Sequence, residues 1–244
     1  MQARGRKAFF ISMGLAVWCA AAPAQSPQKP SGHWEGKIQI PDHELVMNLD
    51  LDRNAAGAWV GSMSVPGSTS IDVPVDNLVV DGTGVRFVAA LPMRASFDGR
   101  LSGDGRSLSG NASNADGQAP FRLTRAGDPH VKVPAKSSTL VSGLEGYWQG
   151  TVESDGRSRR VGLKLSRAAD GTANATLFAV EQGNMEIPVA SVTIRDGQLR
   201  LEAPAISGSY QGKLTGEEIV GEWSQGPNHL ALTFKRTQPE SKQP

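Results

Sequence analysis

One internal repeat constrains this chain more than any other feature. Gly32-His33-Trp34-Glu35-Gly36 returns as Gly146-Tyr147-Trp148-Gln149-Gly150, an offset of 114 residues that holds for about fifty positions. Leu49 and Leu51 map to Leu163 and Leu165, and Ile71-Asp72-Val73-Pro74-Val75 maps to Met185-Glu186-Ile187-Pro188-Val189. One deletion shifts Phe97-Asp98-Gly99-Arg100-Leu101 onto Tyr210-Gln211-Gly212-Lys213-Leu214. A second aligns Leu108, Gly110, Phe121, Leu123 and Arg125 with Ile219, Gly221, Leu232, Phe234 and Arg236. Self-similarity at a fixed period is the mark of one structural unit used twice. The copies span 31–125 and 144–236, each of a size that can close its own core. Residues 126–143, with Pro129, Pro134 and a Ser-Ser-Thr run, read as a linker, and 25–30 and 237–244 as flexible tails.

Within a copy the hydrophobic period is two. Trp34, Gly36, Ile38 and Ile40 share a face, as do Leu45, Met47, Leu49 and Leu51, then Trp59, Gly61, Met63 and Val65. Ile71 to Val80, Val85 to Ala89, Phe97 to Leu101, Leu108 to Ala112 and Phe121 to Leu123 complete about eight short strands. Turn chemistry separates them, as at Asp81-Gly82 and Gly103-Asp104-Gly105. The fold class is therefore all-β: two tandem antiparallel meander barrels. Inward glycines at Gly36, Gly61, Gly99 and Gly110 favour strands coiled tightly around a narrow axis, and closure removes exposed edges. The competing architecture is a pair of β-sandwiches.

The first 24 residues read as an address. Arg4, Arg6 and Lys7 precede an apolar run, Ala8 to Ala22, too short for the ~20 residues of a membrane span. Ala22-Pro23-Ala24 fits signal peptidase, which places cleavage after Ala24 and the mature protein in the periplasm or outside the cell. The only cysteine, Cys19, leaves with that segment. Its alternative role as a lipidated N-terminus is disfavoured by the bulky Trp18 before it. Without the leader the chain holds 22 Lys+Arg against 24 Asp+Glu, so no field steers it to nucleic acid. With 28 glycines and 15 prolines, about 18% of residues, it stays below the roughly 25–30% of low-complexity chains.

Two resemblances follow from these residues. Gly-x-Trp on a first strand with a cation ending the last strand resembles the signature of lipocalins and other calycins. That resemblance implies a cation lying across the indole at one barrel end: Gly32, Trp34 and Arg125 in one copy, and Gly146, Trp148 and Arg236 in the other. The fuller pattern of Gly-x-Trp-x-Gly, Ile-Pro-Val, aromatic-x-Gly-x-Leu and Gly221-Glu222-Trp223-Ser224-Gln225-Gly226 resembles the β domain ahead of the catalytic domain in some secreted bacterial α/β-hydrolases. It implies an accessory role. The hydrolase half is missing, because no Gly-x-Ser-x-Gly elbow occurs.

The remaining chemistry is sparse. His33, His43, His130 and His229 fall at unrelated positions and offer no metal-ligand spacing, so no metal and no cofactor is expected. Ser26-x-x-Lys29 lies in a proline-flanked tail, and Asp81-Gly82-Thr83-Gly84 lacks a full calcium-ligand series. No catalytic residues emerge. Trp59 aligns with Ala173 and Trp223 with Ala112, an exchange of volume that favours filled barrels. These two indoles are the candidates to line a ligand site. The expected protein is an exported, non-catalytic binding or accessory module. Its partner is an envelope protein or a small apolar ligand, as for a lipocalin-like carrier, or a separate serine hydrolase.

Overall fold

The computed structural model describes residues 30–41 and 43–238. The leader 1–24 with Cys19, the tail up to residue 29 and residues 239–244 lie outside the described residues. The first eight strands are β1 Gly32–Ile40, β2 His43–Arg53, β3 Trp59–Ser64, β4 Val73–Asp81, β5 Gly84–Ala89, β6 Ala95–Leu101, β7 Ser107–Asn114 and β8 Gly117–Gly127. Each pairs antiparallel with the next and β8 returns to β1, so the sheet closes into a barrel. Inward residues of period two fill it: Trp34, Met47, Leu49, Leu51, Leu108 and Leu123 are essentially inaccessible. Phe87 and Phe97 stack with centroids 4.6 Å apart, and Phe121 meets Phe97 edge-on.

Two strand glycines show why the barrel can be this narrow. A Cβ on Gly36 would lie 2.0 Å from the Arg122 carbonyl oxygen of β8, and one on Gly110 would lie 2.0 Å from the Asp98 carbonyl oxygen of β6. Backbones crossing that closely leave room for hydrogen alone.

The second sheet holds β9 Gly146–Ser154, β10 Arg157–Arg167, β11 Ala173–Ala179, β12 Met185–Pro188, β13 Ser191–Arg195, β14 Gln198–Ala203, β15 Gly208–Thr215, β16 Glu218–Gln225 and β17 Asn228–Thr237. Here the expectation of two closed eight-stranded barrels needs correction. The second sheet has nine strands and open edges, in the order β12-β11-β10-β9-β17-β16-β15-β14-β13. The difference originates in one strand. In the first barrel β4 runs unbroken past a register shift between Asp76 and Val79, where Asn77 takes a left-handed conformation (φ 51°) and absorbs the bend. The corresponding stretch of the second sheet breaks after Pro188. β12 then pairs only with β11 and β13 only with β14. The sheet still curls round one core, in which Trp148, Leu201, Tyr210, Ile219 and Phe234 are almost fully buried.

The segment 126–143 fills part of the resulting seam. Ser138 donates its N–H to the Val192 carbonyl at 2.8 Å and accepts from the Ala173 N–H at 2.7 Å, which bridges β13 to the start of β11. Leu140 and Leu144 insert into the second core. Upstream, the same segment lies on the first barrel, where the His130 N–H donates to Asp50 Oδ1 (2.8 Å) and the Lys132 N–H to Ser62 Oγ (3.1 Å). The two sheets also touch directly. Ser70 Oγ donates to the Ala205 carbonyl and Ser207 Oγ to the Thr69 carbonyl, beside a small cluster of Val73, Ala90 and Ala205.

Candidate functional site

The barrel ends carry the first group of sequence-selected residues. Trp34 and Arg125 are register partners across β1 and β8, and the Arg125 guanidinium carbon stands 4.3 Å from the indole centroid. Arg125 also donates Nε to the Gly105 carbonyl at 3.1 Å and Nη1 to the Ser31 carbonyl. Desolvation by burial pulls its pKa down from the usual arginine value. Gly32 allows this approach, because a Cβ there would lie 2.2 Å from Arg125 Nη1. In the second sheet Arg236 lies 4.2 Å over Trp148 and donates to the Glu145 and Gly143 carbonyls, with a Gly146 Cβ 3.0 Å from its Nη1. Each indole N–H donates to a carbonyl four residues upstream, Pro30 for Trp34 and Leu144 for Trp148. These contacts cap one end of the first barrel and the matching end of the curled second sheet.

The two ligand-site candidates separate in the structure. Trp59, at the start of β3, is only half-buried and lies beneath the Arg53 guanidinium at 4.5 Å, outside the first core. The exchange of volume expected between Trp59 and Ala173 therefore fails on this side: the strand begins at the rim, where an indole is covered by a cation instead of by packed side chains. Trp223 is buried, belongs to the second core and forms the floor of a cleft.

That cleft is the concavity that contains one of the two candidate indoles. It encloses about 440 Å³ between β10, β11 and β12 on one side and Ile206 and β16 on the other. Val161, Leu177, Met185, Ile187 and Ile206 line it along with the Trp223 indole. Volume and lining fall within the ~300–1,000 Å³ and mainly apolar walls of small-molecule sites. Arg159, Arg160 and Glu181 stand at its mouth. Glu181 accepts from the Arg160 backbone N–H (2.9 Å) and from its Nε (3.0 Å), and the Arg160 side-chain hydrogen bond holds the carboxyl below the usual range. The 3-10 turn Val180–Gln182 is thereby tied to β10. Strand parity put Trp223 on the inner face; it could not show the cleft, because Ile206 and the β10–β12 residues that line it with Trp223 are brought together only by the curl of the sheet.

A second arrangement lies on the outside of the first barrel. Sequence spacing scatters the histidines, but the fold brings His33, Asp50 and His130 together, with their ligand-capable atoms all within 4.8 Å of one another. His33 and Asp50 are register partners on β1 and β2, with Nδ1 2.8 Å from Oδ1, and the other ring nitrogen lies 3.2 Å from Glu35 Oε1. Burial alone would lower the imidazole pKa, but the hydrogen bonds and charges of Asp50 and Glu35 outweigh it and raise the value. His130 comes from the connecting segment, its ring 6.2 Å from that of His33 and nearly perpendicular to it. His43 stays apart from this group, and His229 pairs with Glu222 and Ser224 on β16 and β17.

No family model and no curated protein matches the chain. Two solved structures align over most of it. One is a presumed outer membrane protein from Bacteroides fragilis, 11% identical, with a TM-score of 0.28, covering 86% of this chain and 99% of that one. The other is a protein with unknown function from Nostoc punctiforme, 15% identical, with a TM-score of 0.24, covering 88% of this chain and 100% of that one. Among the described residues no helix is long and apolar enough to cross a membrane.

Proposed function

We propose that this protein is an exported, non-catalytic binding module of the bacterial envelope or secretome that holds one small apolar or amphipathic molecule in the cleft of its second sheet. The observation that carries this reading is the 440 Å³ apolar cleft floored by Trp223 and rimmed by Arg159 and Arg160. An amphipathic ligand would bury its apolar body against Leu177, Met185 and Trp223, and turn an anionic or polar end toward the two guanidinium groups. Export rests on the 1–24 leader. The first barrel, filled by its own side chains, serves as the scaffold on which the second is mounted. The lack of a nucleophile elbow in the sequence and of any paired acid–base constellation around the cleft favours binding over turnover.

The test uses the protein produced with its own leader and purified without detergent. Native mass spectrometry with solvent extraction should release one small apolar molecule per chain, or the empty protein should take up one equivalent of the anionic fluorophore anilinonaphthalene sulfonate. Ala179→Trp, which fills the cleft from its wall, should abolish uptake while leaving the circular dichroism spectrum unchanged. Uptake that survives the filling substitution, or a protein that neither carries nor binds an apolar molecule, overturns the proposal.

A further inference from the structure

We propose that His33, Asp50 and His130 form a binding site for a divalent transition-metal ion of the zinc class, which fastens the segment between the two sheets to the first barrel. Three features of the geometry support it. The ligand set of two imidazoles and one carboxylate is the kind that suits zinc and its neighbours, with at least one coordination position left to water. A tetrahedral ion with bonds of about 2.0–2.1 Å needs ligand atoms about 3.3 Å apart. Here the His33 Nδ1 to Asp50 Oδ1 separation is 2.8 Å, and no pair of ligand atoms exceeds 4.8 Å. A rotation of the exposed His130 ring closes the remainder.

The surroundings are those of a supported site. With a metal on Nδ1, His33 would keep its proton on Nε2, facing Glu35 Oε1 at 3.2 Å. A carboxylate behind a histidine fixes its tautomer and raises its basicity toward a metal. Asp50 is about nine-tenths buried, and its described hydrogen bonds both end on Oδ1, from the His33 ring and the His130 N–H. Oδ2 retains its lone pairs. Asp52 lies on the same outward face of β2 and adds negative potential.

The second sheet supplies an internal control. At the positions 114 residues on, His33 is replaced by Tyr147 and Asp50 by Lys164, again register partners on the outer face, and the Lys164 ammonium lies 5.5 Å from the Tyr147 ring centroid. The same scaffold position thus carries a cation–π pair where it lacks the connecting segment. It carries ligands where that segment delivers a third.

The experiment is titration of the metal-stripped full chain with Zn2+ by calorimetry, and with Co2+ by visible absorption. Expected are one saturable equivalent and a Co2+ d–d spectrum of low coordination number. His33→Ala, Asp50→Asn and His130→Ala should each weaken binding at least tenfold, and His229→Ala should leave it unchanged. Limited proteolysis should show the 126–137 stretch cleaved more slowly with Zn2+ in the wild type, but not in His130→Ala. His130 is exposed and its removal leaves both cores intact, so that variant keeps the test open if changes at Asp50 impair folding. Absence of stoichiometric binding, or binding that His33→Ala and His130→Ala do not alter, overturns the proposal.

Discussion

The two tryptophan–arginine plugs are built alike but buried differently, and a pair of double-mutant cycles should separate them. In the first barrel the Arg125 guanidinium stacks on Trp34 at 4.3 Å and is partly withdrawn from solvent, enough for burial to lower its pKa. In the second, Arg236 stacks at 4.2 Å on Trp148 but is exposed. A cation–π contact contributes about 2 kcal/mol when desolvated and ~0.5–1 kcal/mol at an exposed site. Arg125→Ala also loses donors to the Gly105 and Ser31 carbonyls, each worth about 1 kcal/mol net, so its total cost should be about 3–4 kcal/mol. Arg236→Ala loses donors to the Glu145 and Gly143 carbonyls as well, but at an exposed site where water replaces them at little net cost, so its total should be about 1–2 kcal/mol. Crossing Arg125→Ala with Trp34→Leu should yield a coupling of about 1.5–2 kcal/mol, against ~0.5–1 kcal/mol for Arg236→Ala with Trp148→Leu. Urea unfolding followed by far-ultraviolet circular dichroism is the appropriate assay, since tryptophan fluorescence is itself altered. Equal couplings, or a Trp34–Arg125 coupling below about 0.5 kcal/mol, would refute the idea that burial sets the strength of the plug.

Other substitutions probe the remaining features. Tyr210 is fully buried, burial raises its pKa, and its hydroxyl reaches the Ile219 and Leu232 carbonyls at 2.9 and 3.1 Å. Tyr210→Phe should cost about 1–2 kcal/mol and lower the melting temperature of the second sheet by roughly 5–10 °C in calorimetry. Leu140→Ala should cost about 2–4 kcal/mol in the same measurement, as for a core leucine, although this residue lies in the connecting segment. The Ser191 hydroxyl is buried without a partner among the described residues, so Ser191→Ala should leave stability unchanged or raise it. Asp170 accepts from the Thr172 hydroxyl and N–H, which lowers its pKa below 3.8. Its contribution is therefore present above that value and lost as pH falls through the lower folded one. Asp170→Asn should flatten the acid limb of a melting-temperature profile below about pH 4.

How much of this was legible in the sequence depended on whether a feature was local. The strands of the first barrel follow the period-two runs almost element by element, because each run is bounded by turn residues and offers one apolar face. Gly36 and Gly110 signalled close backbone approach for the same local reason. The break between Pro188 and Ser191 was not legible, since Val73-Pro74-Val75 and Ile187-Pro188-Val189 look alike; what differs is the left-handed Asn77 that carries β4 through its bend. Nor was the role of residues 126–143 visible. Leu140 alone makes no periodic pattern, and the partners of His130 and Ser138 lie 80 and 54 residues away. Trp59 was misplaced because parity gives the face of a strand, not how far along the barrel axis a residue lies.

The connecting segment explains why the two halves have different chemistry. One half of it delivers His130 to the outer face of β1 and β2, where His33 and Asp50 wait; the other half is built into the seam of the second sheet. A closed first barrel has no seam to receive a chain and can offer only its surface. The open second sheet has one, and Ser138 bridges it from β13 to β11, while the cleft around Met185 and Trp223 lies elsewhere in the same curled sheet. A ligand in that cleft would reach the segment only through the second core, which Trp223 and Leu140 share, while a metal at His130 would hold the segment's other end. Coupling between them requires that the segment move as a unit, and the proline at 134 stiffens it between its two anchors. If it does, Zn2+ should shift the affinity for an apolar probe, and the probe should shift the affinity for Zn2+ by the same factor. Titrations of each in the presence of the other measure both factors. Because that equality holds for any pair of equilibrium sites, the size of the factor is what decides: a factor of one would refute coupling through the segment and make Pro134 part of a hinge.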